Sequence, residues 1–74
     1  MPDLPQLRPR EVVRALEALG WRHARTTGSH QIYAHPEHIR PVVVPAHARD
    51  VARGTLRAII RAAGVTEEQF LDAL

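Results

Sequence analysis

Apolar residues alternate with polar ones at two different periods along this chain, and the changes of period mark its elements. Val12, Val13, Leu16 and Leu19 fall on one face at helical spacing, and Pro9 sits where a first helical turn tolerates it, so a helix is predicted from about Pro9 to Leu19. Gly20 is placed as its C-terminal stop. From Trp21 to Thr26 the residues suit a first strand, and Thr27-Gly28 reads as a tight connection into a second, Ser29 to Ala34. Ile32 and Tyr33 are both apolar, so strict alternation fails there and the pattern does not say which face His30 shares.

His35-Pro36-Glu37-His38 reads as a turn, and Val42-Val43-Val44 as a third strand. Pro41 and Pro45 bracket that strand, and their missing donors predict that it ends quickly or lies at a sheet edge. Leu56, Ile59, Ile60 and Ala63 then repeat at i, i+3, i+4 and i+7, the strongest periodic signal present, with Gly64 closing the helix. Thr66 and Gln69 fit a capping box that opens a short last helix carrying Phe70, Leu71 and Leu74.

The predicted order is α-β-β-β-α-α. The fold class it implies is α+β: a three-stranded antiparallel meander with helices packed on one face, the other face open to a partner. With 74 residues, 45% of them hydrophobic, a single domain over 1–74 with one thin core is expected. There is no Cys, so neither a disulfide scaffold nor a cysteine-based zinc site is available to support it. The Met1–Leu7 leader lacks the basic start and long apolar run of a signal peptide, and no stretch approaches membrane-spanning length, which predicts a cytoplasmic chain with no membrane partner.

Net charge is only +2, yet all ten basic side chains are Arg, the planar donor that suits phosphate. Genome composition produces the same bias, so partners are only loosely constrained by it. Five His are more telling. His30, His35, His38 and His47 lie between the start of strand two and the turn after strand three, where convergence in space is conceivable, and imidazole takes and gives protons near neutrality. His23, on strand one, reads as an ordinary sheet residue.

RNA carries its own nucleophile in the 2′-hydroxyl, so His and Arg suffice to cut it: a base, an acid and positive charge on the phosphate. His30 is the best catalytic candidate, because Gly28 and Ser29 before it are small and Ser29 can donate to a phosphate oxygen. The bland alternative is a surface His after a turn. A metal is the rival use of these imidazoles, but His30-x4-His35-x2-His38 matches no common zinc pattern. Arg53, Arg57 and Arg61 form a stripe along the second helix that an RNA backbone would neutralise, although an exposed Arg face needs no ligand. Gly54-Thr55 lies at the start of that helix, either as an anion site or as a plain cap.

Taken in order, Gly28-Ser29-His30, Val42-Val43-Val44-Pro45-Ala46-His47, and Gly54 to Gly64 followed by Glu67-Glu68-Gln69-Phe70-Leu71 resemble the HicA family of toxins. The resemblance implies a double-stranded-RNA-binding-domain-like fold and metal-independent, cofactor-free cleavage of mRNA. It further implies translation arrest and inhibition by a HicB-type antitoxin. His30 matches the family's catalytic His, with Gly28 and Ser29 in the same motif. Two features depart from the family pattern: Thr26-Thr27 stand where basic residues are frequent, and Lys is absent. Arg22 and Arg25 on strand one are the candidates to supply that charge, and His47 is the candidate acid or phosphate contact if strands two and three are neighbours.

Domains of this shape also bind RNA without cutting it, so a non-catalytic RNA-binding module is the runner-up. A third class acts only by binding its antitoxin.

Overall fold

The computed structural model describes residues 4–47 and 49–74; Met1–Asp3, the start of the leader, and Ala48 lie outside the described residues. Its elements are α1 (Pro9–Ala18), β1 (Arg22–Thr27), β2 (His30–His35), β3 (His38–Pro45), α2 (Arg53–Ala62) and α3 (Glu67–Asp72). The strands form one antiparallel sheet in the order β1-β2-β3. The α+β class expected from the pattern is therefore the fold, and no helix among the described residues is long and apolar enough to cross a membrane.

The core is the meeting of three apolar stripes. Val12, Ala15 and Leu16 come from α1, Leu56, Ile59 and Ile60 from α2, and Tyr33, Val42 and Val44 from one face of the sheet, with Phe70 of α3 closing the bottom. Both longer helices pack mainly on β3, so the helix side of β1 is left bare. Ahead of α1, Leu4 and Leu7 are buried, and the Val51 N–H donates to the Leu7 carbonyl at 2.7 Å, tying this stretch to the entry of α2.

β3 is longer than Val42–Val44 and contains both prolines. The Ala46 N–H donates towards β2, to the Ser29 carbonyl at 2.6 Å. By the two-residue alternation of a strand, Pro41 and Pro45 then turn their donor-less nitrogens to the free edge, where no ladder bond is lost. The prolines thus mark an edge strand instead of ending it. On β1 the register shifts between His23 and Arg25, a bulge that leaves Ala24 extra.

The opposite end of the hairpin from His30 is held by an aromatic cluster. Trp21, 1% exposed, has the His35 ring centroid at 5.2 Å and the His38 centroid at 4.9 Å, and the two imidazoles meet edge-on. Gly20 and Gly64, the residues ending α1 and α2, have φ of 97° and 74°. A Cβ on Gly20 would stand 2.8 Å from His35 Nε2, and one on Gly64 2.9 Å from His38 Cε1. Both helices can therefore end against the β2–β3 turn only because these positions carry no side chain.

Two stability predictions follow from these termini. Gly64→Ala should cost about 1–2 kcal/mol from the left-handed backbone alone, with the His38 contact adding to it. For a domain of this size each kcal/mol lowers Tm by roughly 4–8 °C, and a melting curve within a degree of the parent would contradict the assignment. At α3 the expected capping box is formed, the Gln69 N–H donating to Thr66 Oγ1 at 3.0 Å and the Thr66 N–H to Gln69 Oε1 at 2.9 Å. Thr66→Ala should cost about 1 kcal/mol, while Thr66→Ser should cost almost nothing, and equal losses from the two would show that the methyl group, not the hydroxyl, matters.

Candidate functional site

His30 opens β2 directly after a two-residue hairpin loop, Gly28-Ser29, across which Thr27 pairs with His30. Gly28 is at the first central position with φ 56°, as a type II′ turn requires. The question of which face His30 occupies is settled by its neighbours. Tyr33 is buried under the helices, so Gln31, Tyr33 and His35 face them and His30, Ile32 and Ala34 face the open side. On that open side Arg25 stands opposite Ile32, a diagonal neighbour of His30, and Val43 stands opposite Ile32 from β3. His30 and Arg25 are both exposed. At such a diagonal the Cβ atoms are about 7–8 Å apart, within the combined reach of an imidazole and a guanidinium meeting on one phosphate.

Strands two and three are indeed neighbours, with His30 paired to Pro45. His47 follows two residues later and is exposed at the same end of the sheet. The four His do not gather. His35 lies five residues along β2, about 17 Å away, with His38 opposite it on β3, and both pack on Trp21. The His35 Nδ1 is also occupied, accepting from the Glu37 N–H at 3.0 Å. His23 lies on the helix side of β1, edge-on to Tyr33 and bonded to Thr26 Oγ1 at 2.8 Å. No group of three or more potential metal ligands occurs among the described residues.

The remaining arginines expected at the interface are divided. Arg22 turns back to α1, donating from Nη1 to the carbonyls of Glu17 and Trp21 at 3.1 and 2.9 Å, where it caps the helix C-terminus. On α2, Arg53 Nε donates to the Leu4 carbonyl at 3.0 Å, and Arg57 Nε lies 3.7 Å from Glu67 Oε2. Arg61 borders the groove between α2 and α3. The stripe therefore runs along the α3 side of its helix, away from His30. Gly54 and Thr55 are the second and third helical residues; the N-cap is Ala52, which has no side chain to cap with.

A feature not singled out in the sequence is an open cleft of about 510 Å³ between α1 and the sheet. Arg10, Arg14 and Glu17 form its helical wall, and Gln31, Tyr33 and Ala46 its sheet side. It exists because the helices favour β3 and leave the middle of the sheet partly roofed. Burial, helped by the nearby Glu17 carboxylate, raises the Tyr33 pKa, so its hydroxyl stays a neutral donor, 3.4 Å from Gln31 Oε1. The spacing of Arg10 and Arg14 on one helix face was visible in the sequence; that this face borders an opening was not.

No curated protein matches the chain. The model of a protein family described as the HicA toxin of bacterial toxin–antitoxin systems matches residues 9–65, from the first residue of α1 to just beyond α2. That stretch holds the whole sheet, the Gly28-Ser29-His30 loop and well over half of the chain. The chain belongs to the HicA family of toxins.

Proposed function

We propose that this protein is the toxin of a type II toxin–antitoxin pair and acts as a metal-independent mRNA endoribonuclease, with His30 as its catalytic residue. The observation that supports it most directly is the placement of His30: exposed, on the uncovered face, fixed by a tight turn, with Arg25 on the neighbouring strand. His30 takes the proton of a 2′-hydroxyl, whose oxygen attacks the adjacent phosphorus. The P–O5′ bond breaks, and the leaving oxygen receives a proton, for which His47 is the candidate donor. The products are a 2′,3′-cyclic phosphate and a 5′-hydroxyl. Arg25 and Ser29 offset the charge that builds on the phosphate. Arg53, Arg57 and Arg61, with Gly54 and Thr55, form an outlying surface for the RNA backbone, and Arg22 acts by holding α1 to β1. A HicB-type antitoxin, made alongside, silences the toxin in the cytoplasm.

Cleavage of labelled mRNA in excess chelator tests this reading. The parent should cut and leave a cyclic-phosphate end, and His30→Ala should lose about 10²–10⁴ in rate, the usual worth of one positioned acid–base group, with an unchanged melting temperature. A folded His30→Ala protein that still cuts and still arrests growth would remove His30 from the mechanism. Binding of RNA without cleavage by either protein would favour the alternative, a non-catalytic RNA-binding module.

His47→Ala separates the two proton-transfer roles. If His47 is the acid, its loss should matter far less for a substrate whose 5′ leaving group is activated than for ordinary RNA; the same loss on both substrates would leave it as a phosphate contact only. For the α2 stripe, reversing all three charges should weaken RNA binding and flatten its salt dependence, and unaltered binding would take the stripe out of the interface.

A further inference from the structure

We infer that the cleft between α1 and the sheet is a nucleotide subsite for single-stranded RNA, with a phosphate at Arg10 and Arg14 and a base read by Gln31; this rests on the ribonuclease reading above.

The charge pattern is the first support. Arg10 and Arg14 are one helical turn apart on the same face, both exposed, and neither has an ion-pair partner among the described residues. Like charges at this spacing repel, and an anion between them removes the repulsion. The α2 arginines differ in this respect, since Arg53 and Arg57 already have partners within the protein.

The second support is the polarity along the cleft. Passing from Arg10 through Arg14 to Glu17 covers about 10 Å of the α1 axis and runs from positive to negative. A phosphate is drawn to the arginine end and repelled from the Glu17 end. Adenine, cytosine and guanine carry an exocyclic amino group, and uracil a ring N–H, that a carboxylate accepts from, so a base belongs at the other. Gln31 stands on the opposite wall and, among the described residues, uses only its carbonyl oxygen, towards Tyr33, which leaves its two N–H groups for a base edge. Tyr33 is 4% exposed, so it is the floor of the cleft and not a stacking platform. The volume, about 510 Å³, falls in the range of roughly 300–1,000 Å³ in which proteins hold small organic groups.

The third support is continuity with the catalytic residue. Gln31 follows His30 in β2 and points to the opposite face, and Ala46 at the cleft margin bonds to the Ser29 carbonyl. An RNA strand that rounds this end of the sheet presents one nucleotide to the cleft and a neighbouring phosphodiester to His30. Only a single strand has the free base edge that Gln31 requires, because a duplex hides it.

The test uses the full chain and a fluorescent single-stranded RNA with methylated 2′-hydroxyls, which binds without being cut. The double variant Arg10→Glu, Arg14→Glu should bind about tenfold or more weakly and lower the slope of log affinity against log salt by about 0.7, one phosphate's worth, with an unchanged melting curve. Gln31→Ala should keep that slope and lose whatever preference the parent shows among A, C, G and U homopolymers. If the parent cuts RNA but the double variant binds with the parent's affinity and slope, the subsite is overturned and the His30 mechanism stands. If the parent neither binds nor cuts RNA, and the double variant loses only the antitoxin protein, both are overturned and the cleft is a protein contact.

Discussion

Everything else in this molecule is arranged around the burial of one indole. Trp21 packs against the imidazoles of His35 and His38, which also meet each other, and each of those rings fills the space that a side chain would take at Gly20 or Gly64. The cluster thereby fastens the C-terminal ends of α1 and α2 to the β2–β3 turn. Truncating a buried indole typically costs about 3–5 kcal/mol, a large part of what a domain of this size has to lose. With no disulfide available to a chain without Cys, that contact does the work of a staple.

The other end of the sheet has no such three-ring cluster among the described residues. At the far end of β2 lie a two-residue loop, the exposed His30 and His47, and the bare helix side of β1. Both longer helices pack mainly on β3, and the partly roofed middle of the sheet becomes a cleft. The open face carrying His30 and the cleft carrying Arg10 are thus two outcomes of one packing decision. They lie on opposite faces of a sheet one residue thick, meeting at Ser29, His30 and Gln31.

Much of this was legible in the residues. Leu56, Ile59 and Ile60 repeat with an unambiguous period and are the buried face of α2; Thr66 and Gln69 carry their capping box in the sequence itself. The face of His30 was not legible, because Ile32 and Tyr33 are apolar neighbours, and only the burial of Tyr33 on the α1 side of the sheet decides between them. The prolines of β3 look like strand breakers until the direction of each missing N–H is known. The two Arg stripes, on α1 and on α2, are indistinguishable as spacings. What separates them is the company each keeps, Leu4 and Glu67 for one and an open cleft for the other, and both depend on contacts between residues far apart in the chain.

The edges of the sheet have a consequence for how the chain survives at high concentration. A three-stranded sheet has two free borders, and unpaired strand borders are templates on which copies stack into fibrils. Here each border is spoiled by its own means: two imino nitrogens along β3 and an extra residue in β1. Ile39, fully exposed, and Val43, 43% exposed, are oily residues that an intact border would have turned into a nucleus for aggregation. With both borders spoiled, newly made copies awaiting a partner resist polymerising through their sheets, and the uncovered face stays accessible to whatever it was shaped to meet.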